Sequence, residues 1–115
     1  MKGLVIKSPW IDLILEGKKT WEIRSSNTTK RGEIALIKSG SGCIYGTVDV
    51  VNSFPIDATM FKKNQQLHQI KEDFSSLSYK KPHAWVFANP VLFEKPIPYT
   101  HPQGAVIWVN LDGII

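Results

Sequence analysis

Apolar residues recur along this chain in two rhythms, and the switches between them mark out its elements. Leu4-Val5-Ile6 reads as a first strand. Ser8-Pro9 follows, an N-cap residue and then a proline at the first helical position, so a helix is predicted over residues 10–16. Ile11, Ile14 and Leu15 share one face of it, Asp12 and Glu16 lie on the other, and Gly17 ends it in a left-handed cap. Lys19-Thr20-Trp21-Glu22-Ile23-Arg24 then alternates, which sends Trp21 and Ile23 inward and projects Glu22 and Arg24 together from the opposite face.

Residues 25–32 are polar and basic, an exposed connection, and residues 33–38 read as a buried strand. Ser39-Gly40-Ser41-Gly42 is a flexible turn into a long strand of β-branched residues, 43–54. Gly46 inside that strand predicts a bulge or sharp bend, the device by which barrels turn corners. A second helix is expected from residue 57 to about residue 70, with Met60, Leu67, Ile70 and Phe74 as its apolar stripe, and then a polar linker over 75–82. Residues 83–93 form another strand, with Trp85 and Phe87 on one face. It is expected to be interrupted at Asn89-Pro90, because an interior strand tolerates proline poorly. A proline-rich connection over 96–104 leads to a last strand, 105–111, that contains Trp108. The fold expected is α+β, a small mixed barrel of about five or six strands with two helices rather than a β-α-β layered fold.

At 115 residues the chain is expected to form a single domain over 1–115. An apolar share of 43% against 21% charged residues argues against wholesale disorder, and no apolar run approaches the length of a membrane span. The lone Cys43 excludes an intrachain disulfide and any multi-cysteine metal site, and it reads as a small buried hydrophobe. With no export signal at the N-terminus, a reducing cytoplasm is the expected location. His68, His83 and His101 lack metal-ligand spacing, so no metal and no cofactor is assigned.

Charge changes the picture more than composition does. The formal charge of +4 falls entirely within residues 18–31, where Lys18, Lys19, Arg24, Lys30 and Arg31 face only Glu22; elsewhere the two signs balance. Positive charge concentrated beside aromatic residues attracts phosphates. Glu22, two positions from Arg24 on one strand face, can hold the guanidinium fork in a fixed orientation. Lys19, at the helix-to-strand junction, is free of strict alternation and can turn toward the same face. The three would form a cationic cleft with one internal anion, suited to a phosphate or a carbonyl oxygen. Lys38 and Ser39, beside the glycine-rich turn, are further candidates for ligand contact. Trp21 and Trp85 read as core, whereas for Trp10 a core position and a cleft wall both fit the pattern. In a cleft, Trp10 would offer a stacking face worth about 1–3 kcal/mol per base.

The run Ser8-Pro9-Trp10, Leu13-Ile14-Leu15, Gly17-x-Lys19-x-x-Glu22-x-Arg24 resembles the ASCH domain family, small barrels similar to PUA domains. Gly46, Ala84-Trp85-Val86 with Asn89-Pro90, and Gln103-Gly104-Ala105 leading to Trp108 extend the resemblance over nearly the whole chain. It implies a PUA-like barrel that binds RNA, single-stranded or modified, or a nucleoside or nucleotide. Lys19 and Arg24 would hold phosphate or a base edge, Glu22 would orient them, and Trp10 would stack. Some proteins of this family are hydrolases, either amidohydrolases on acylated cytidine nucleosides, relying on a lysine, a threonine and a glutamate, or ribonucleases. In that reading Lys19 matches the lysine and is base or nucleophile, and Glu22, standing at the threonine position, relays its proton. Similar domains embedded in coactivator proteins of the human type imply a protein-interaction module as a third reading.

Overall fold

Leu4 and Ile6 on β1 (Lys2–Ile6) are fully enclosed, because this strand runs between two others: parallel to β3 (Gly32–Lys38) and antiparallel to β6 (Trp108–Asn110). The computed structural model describes residues 1–113. Between β1 and β3 lie α1 (Trp10–Leu15) and the short β2 (Trp21–Arg24). After β3 come β4 (Cys43–Pro55), α2 (Ala58–Lys63), α3 (Gln65–His68), a 3₁₀ turn at Phe74–Ser76, and β5 (His83–Pro98). The strands form one mixed six-stranded sheet in the order β2-β5-β4-β3-β1-β6.

On β3, Ile34 and Leu36 point to one face of the sheet and Ala35 and Ile37 to the other, and all four are buried. Both faces are therefore covered. On the first, α1 lays Ile11, Ile14 and Leu15 against Leu4, Val48, Trp85 and Phe87. On the second, Ile44, Val109 and Leu111 close over Ala35 and Ile37. A third cluster joins Trp21 and Ile23 of β2 to Phe61 of α2. A six-residue helix such as α1 does not persist alone in water, so packing holds it, each buried Ile or Leu contributing about 1.5–3 kcal/mol.

The α+β class stands, but the barrel does not close: β2 and β6 are the two edges of the sheet and do not pair with each other. With four and three residues, they are too short to zip together. The expected second helix is broken at Asn64, whose side chain turns back to the Met60 carbonyl at 2.8 Å, and it ends at Gln69 in the left-handed region. Its inward face is Phe61 and His68, stacked ring on ring at 4.0 Å, while Leu67 is exposed. Ser8 does not cap α1; its hydroxyl donates to Asp12 Oδ2 at 2.7 Å. Cys43 is half-buried rather than enclosed.

Strand β5 runs straight through Asn89-Pro90. Asn89 takes a positive φ of 53° and the register against β4 slips there, a bulge rather than a break. Proline is tolerated because β2 covers only the first four residues of β5, leaving the far side of Pro90 without a ladder partner. Gly46 lies at a second register slip, as its place in the strand predicts. No helix of the described residues is long and apolar enough to cross a membrane.

Candidate functional site

The gap left by the unclosed sheet is a cleft of about 620 Å³. Val5 and Ile6 of β1 line one side, and Glu22 and Arg24 of β2 the other. The Arg24 side chain spans the opening: its Nη2 donates to the Val5 carbonyl at 3.0 Å.

Lys19 reaches this cleft because the end of α1 is wound tightly. Gly17 takes a φ of +81°, and the amides of Lys18 and Lys19 both donate to the Leu13 carbonyl, at 2.9 and 3.1 Å. Thr20 is then pinned from two sides, its amide donating to Leu67 and its carbonyl accepting from the Phe87 amide. Strict alternation begins only at Trp21, so Lys19 turns to the face of Glu22 and Arg24.

The three form a linear chain. Lys19 Nζ donates to the His68 carbonyl at 2.5 Å and lies 3.8 Å from Glu22 Oε1. Glu22 Oε2 accepts from Arg24 Nε at 3.0 Å. Lys19 is 2% exposed and Glu22 6%, so this ion pair is far more sheltered than the usual surface pair. Burial pushes the Lys19 ammonium down to about 8; the Glu22 carboxylate opposes that shift and the Arg24 charge adds to it. Aromatic faces complete the arrangement. Lys19 Nζ stands 4.9 Å from the Trp10 ring centre, and the Arg24 guanidinium carbon 5.6 Å from that of Trp85.

Residues 4–97 match the family model of the ASCH domain. The chain belongs to the ASCH domain family. This ASCH domain also shares its fold with the crystal structure of ASCH from Zymomonas mobilis, with a TM-score of 0.70 at 16% identity over 84% of this chain and 72% of that one. Two single-substitution mutants of the same protein match similarly. One gives a TM-score of 0.70 at 16% identity over 84% of this chain and 74% of that one; the other gives 0.73 at 15% over 94% and 85%. No curated protein matches the chain.

Of the residues singled out in the sequence, Trp10, Lys19, Glu22, Arg24 and Ser39 line the cleft of this ASCH domain. Trp10 is half-buried and both packs on the core and walls the cleft, so its two readings hold together. Lys38 is elsewhere. Its ammonium is held by Asp12 Oδ1 at 3.0 Å and sits 4.5 Å from the Tyr45 ring centre, outside the cleft lining. Trp21 and Trp85 are buried.

The basic segment is not one patch. Lys18 pairs with Glu16 in solvent, and Arg31 is spent on the carbonyls of Thr28 and Lys30 and on the Ser53 hydroxyl. The cleft instead gains Lys7 and, against it, Glu72. Its far wall comes from the stretch read as a linker, with Ser76, Leu77 and Tyr79 folded over it. Phe74, Leu77 and Tyr79, apolar residues spaced through a serine-rich run, were the signal that this segment folds back. Among the described residues no cluster of His, Cys, Asp and Glu could hold a metal ion.

Proposed function

We propose that this ASCH domain is an RNA- or nucleotide-binding module that seats one nucleotide in the cleft. The observation that carries the reading is the Lys19, Glu22, Arg24 chain lining a hollow of about 620 Å³ beside the Trp10 ring. That volume is within the range of about 300–1,000 Å³ typical of small-ligand pockets. Three cations, Lys7, Lys19 and Arg24, face two carboxylates, Glu22 and Glu72, so the lining carries one net positive charge. Such a balance suits a single phosphate with its base rather than a polyphosphate. Arg24 is the phosphate contact, since its Nε and Nη2 are engaged and its Nη1 group is left for a ligand. Trp10 and Ile70 are the apolar walls for the base, and Glu22 holds both cations in place.

Salt titration of a short single-stranded RNA tests this. With one or two phosphates neutralised, log K should fall against log salt with a slope of about −0.7 to −1.4. Binding that ignores salt, or that is the same in Lys19→Ala and Arg24→Ala, rejects the proposal.

A second reading, hydrolysis, is favoured by one observation: the Lys19 ammonium lowered to about 8, close to working pH. A neutral Lys19 amine can accept the proton of an attacking water and pass it, with Glu22, to the departing amine of an acylated cytidine, as the amide C–N bond breaks. Incubation with acylated cytidines and with single-stranded RNA separates the readings. Product at substoichiometric protein, lost in Lys19→Ala, supports catalysis; stable binding without product supports a binding module.

A further inference from the structure

A second hollow, of about 300 Å³, adjoins the cleft and is lined by the connection after β2 and by two tryptophans. Arg24, Tyr79 and Ile107 line both hollows. The second has its own walls: Ser25 and Asn27 on one side, Trp85 and Trp108 on the other. The two indoles are stacked, 5.8 Å between ring centres and 16° between planes, and Trp85 Nε1 donates to the Ser26 carbonyl at 2.8 Å. That bond ties the rim of the hollow to its aromatic floor, so the walls are preorganised. No charged side chain besides Arg24 lines it.

We infer that this second hollow is a subsite for the neighbouring base of the same strand, so that the occupant of the site is an oligonucleotide and not a lone nucleotide. The inference rests on the nucleotide reading above and deepens it. Two chambers of unequal size, one with several charges and one neutral and aromatic, share a guanidinium at their common edge. A dinucleotide has the same order of parts: base, linking phosphate, base. Arg24 stands where the linking phosphate crosses, its Nε and Nη2 engaged and its Nη1 group left to hold that phosphate, while Trp108, half-buried, presents indole surface to the second base. An aromatic hollow without further charged side chains holds a base chiefly by stacking, a contact tolerant of base identity. The subsite therefore adds affinity without adding much sequence preference.

The test compares, by calorimetry, ribonucleoside 5′-monophosphates, the corresponding dinucleotides, and dinucleotides carrying an abasic second position. The dinucleotide should bind about 5- to 150-fold more tightly than its abasic counterpart, the equivalent of the ~1–3 kcal/mol of one stacked base. Ser25→Glu, on an exposed residue that lines only the second hollow, and Trp108→Leu should each erase that gain, read within each variant as the ratio of dinucleotide to abasic-dinucleotide affinity, in which any effect of the new carboxylate on Arg24 and the phosphate cancels. Circular dichroism checks that both variants fold, and Ser25→Glu carries the test alone if Trp108→Leu does not. A dinucleotide no tighter than its abasic form, or a gain untouched by Ser25→Glu, overturns the subsite while leaving the nucleotide reading intact. Failure of every nucleotide to bind overturns both.

Discussion

Lys19 Nζ donates to the main-chain carbonyl of His68, joining residues 49 positions apart in a fully buried contact. That carbonyl belongs to the last turn of α3, where helix carbonyls lack an internal partner and attract cations. The His68 ring is committed elsewhere. Its Nδ1 accepts from the Ile70 amide at 2.9 Å, so its Nε2 carries the hydrogen and donates to the Phe61 carbonyl at 2.7 Å. Of two neighbouring basic groups, the histidine is held neutral and the lysine carries the charge.

His68 should therefore make the fold sensitive to acid. Burial pushes its imidazole below the ordinary value of 6.5; the Phe61 carbonyl opposes this and the Lys19 charge adds to it. The unfolded chain then takes up a proton near pH 6.5 that the folded chain refuses, so this stability is complete above that pH and is lost as pH falls. Urea denaturation from pH 7.5 to 5 should show stability declining with acid, and less steeply in His68→Gln. Equal slopes in the two proteins would mean that His68 is not the group responsible.

Lys19 makes a prediction of the same sign on the alkaline side. Its folded value of about 8 lies below the ordinary 10.5, so between these two the unfolded chain binds more protons and stability rises with pH. For a side chain this buried, the full rise is about 3 kcal/mol. Lys19→Met removes the titrating group, and Glu22 keeps Arg24 as its partner. The difference in unfolding free energy between wild type and Lys19→Met should therefore shift in favour of wild type by roughly that amount between pH 7 and pH 10.5.

Glu22→Gln should lower Lys19 further. The carboxylate is the main group that holds this ammonium up, and Arg24 continues to push it down. Arg24 keeps the Val5 carbonyl but loses its charged partner, a hydrogen bond worth about 1.5–3 kcal/mol. Direct NMR titration of the Lys19 side chain should give a midpoint below that of wild type, with RNA affinity reduced. An unchanged midpoint would show that Glu22 does not govern Lys19.

These contacts differ in how legible they were. Glu22 and Arg24 on one face, with Trp21 and Ile23 on the other, follow from a period of two within four residues, which is a local property. The Lys19 to His68 contact does not, because no spacing rule links a strand entry to a helix that begins more than forty residues later. His68 itself was invisible as core: it counts as polar in any apolar stripe, yet its ring is satisfied by two backbone partners. Pro90 was misread for a related reason. Whether a strand tolerates proline depends on what lies beside it, and that is set by the shortness of β2. Lys38 looked like a ligand contact because it adjoins the glycine-rich turn, but alternation on β3 directs it to Asp12 of α1.

Gly46→Ala should be among the most damaging single-methyl changes in the molecule. A Cβ there would overlap the Val91 carbonyl oxygen and lie 2.7 Å from Leu15 Cδ2. The first obstacle is backbone at a register slip, and the second is a buried helix residue packed on the sheet. Neither can yield cheaply, so a loss of at least about 1–3 kcal/mol is expected. A thermal midpoint within a degree of wild type would show that β4 and β5 can part at this bulge.

Lys38→Ala gives the sharpest contrast with the cleft residues. The ammonium is held 3.0 Å from Asp12 on one side and over Tyr45 on the other, and Lys38 is not among the residues that line the cavity. The pair is partly exposed, with side chains 26% and 38% accessible, so its loss should cost no more than about 1 kcal/mol. The Ser8 hydroxyl and Lys38 also hold the Asp12 carboxyl below its ordinary value, the hydrogen bond from the hydroxyl being the largest single cause. Removing Lys38 should thus relax Asp12 only partly. RNA affinity should stay at the wild-type value, whereas Arg24→Ala weakens it at equal salt. If Lys38→Ala weakens binding as much as Arg24→Ala does, the nucleic acid path runs along the β3 to β4 turn, and the gap between β1 and β2 is not where the strand lies.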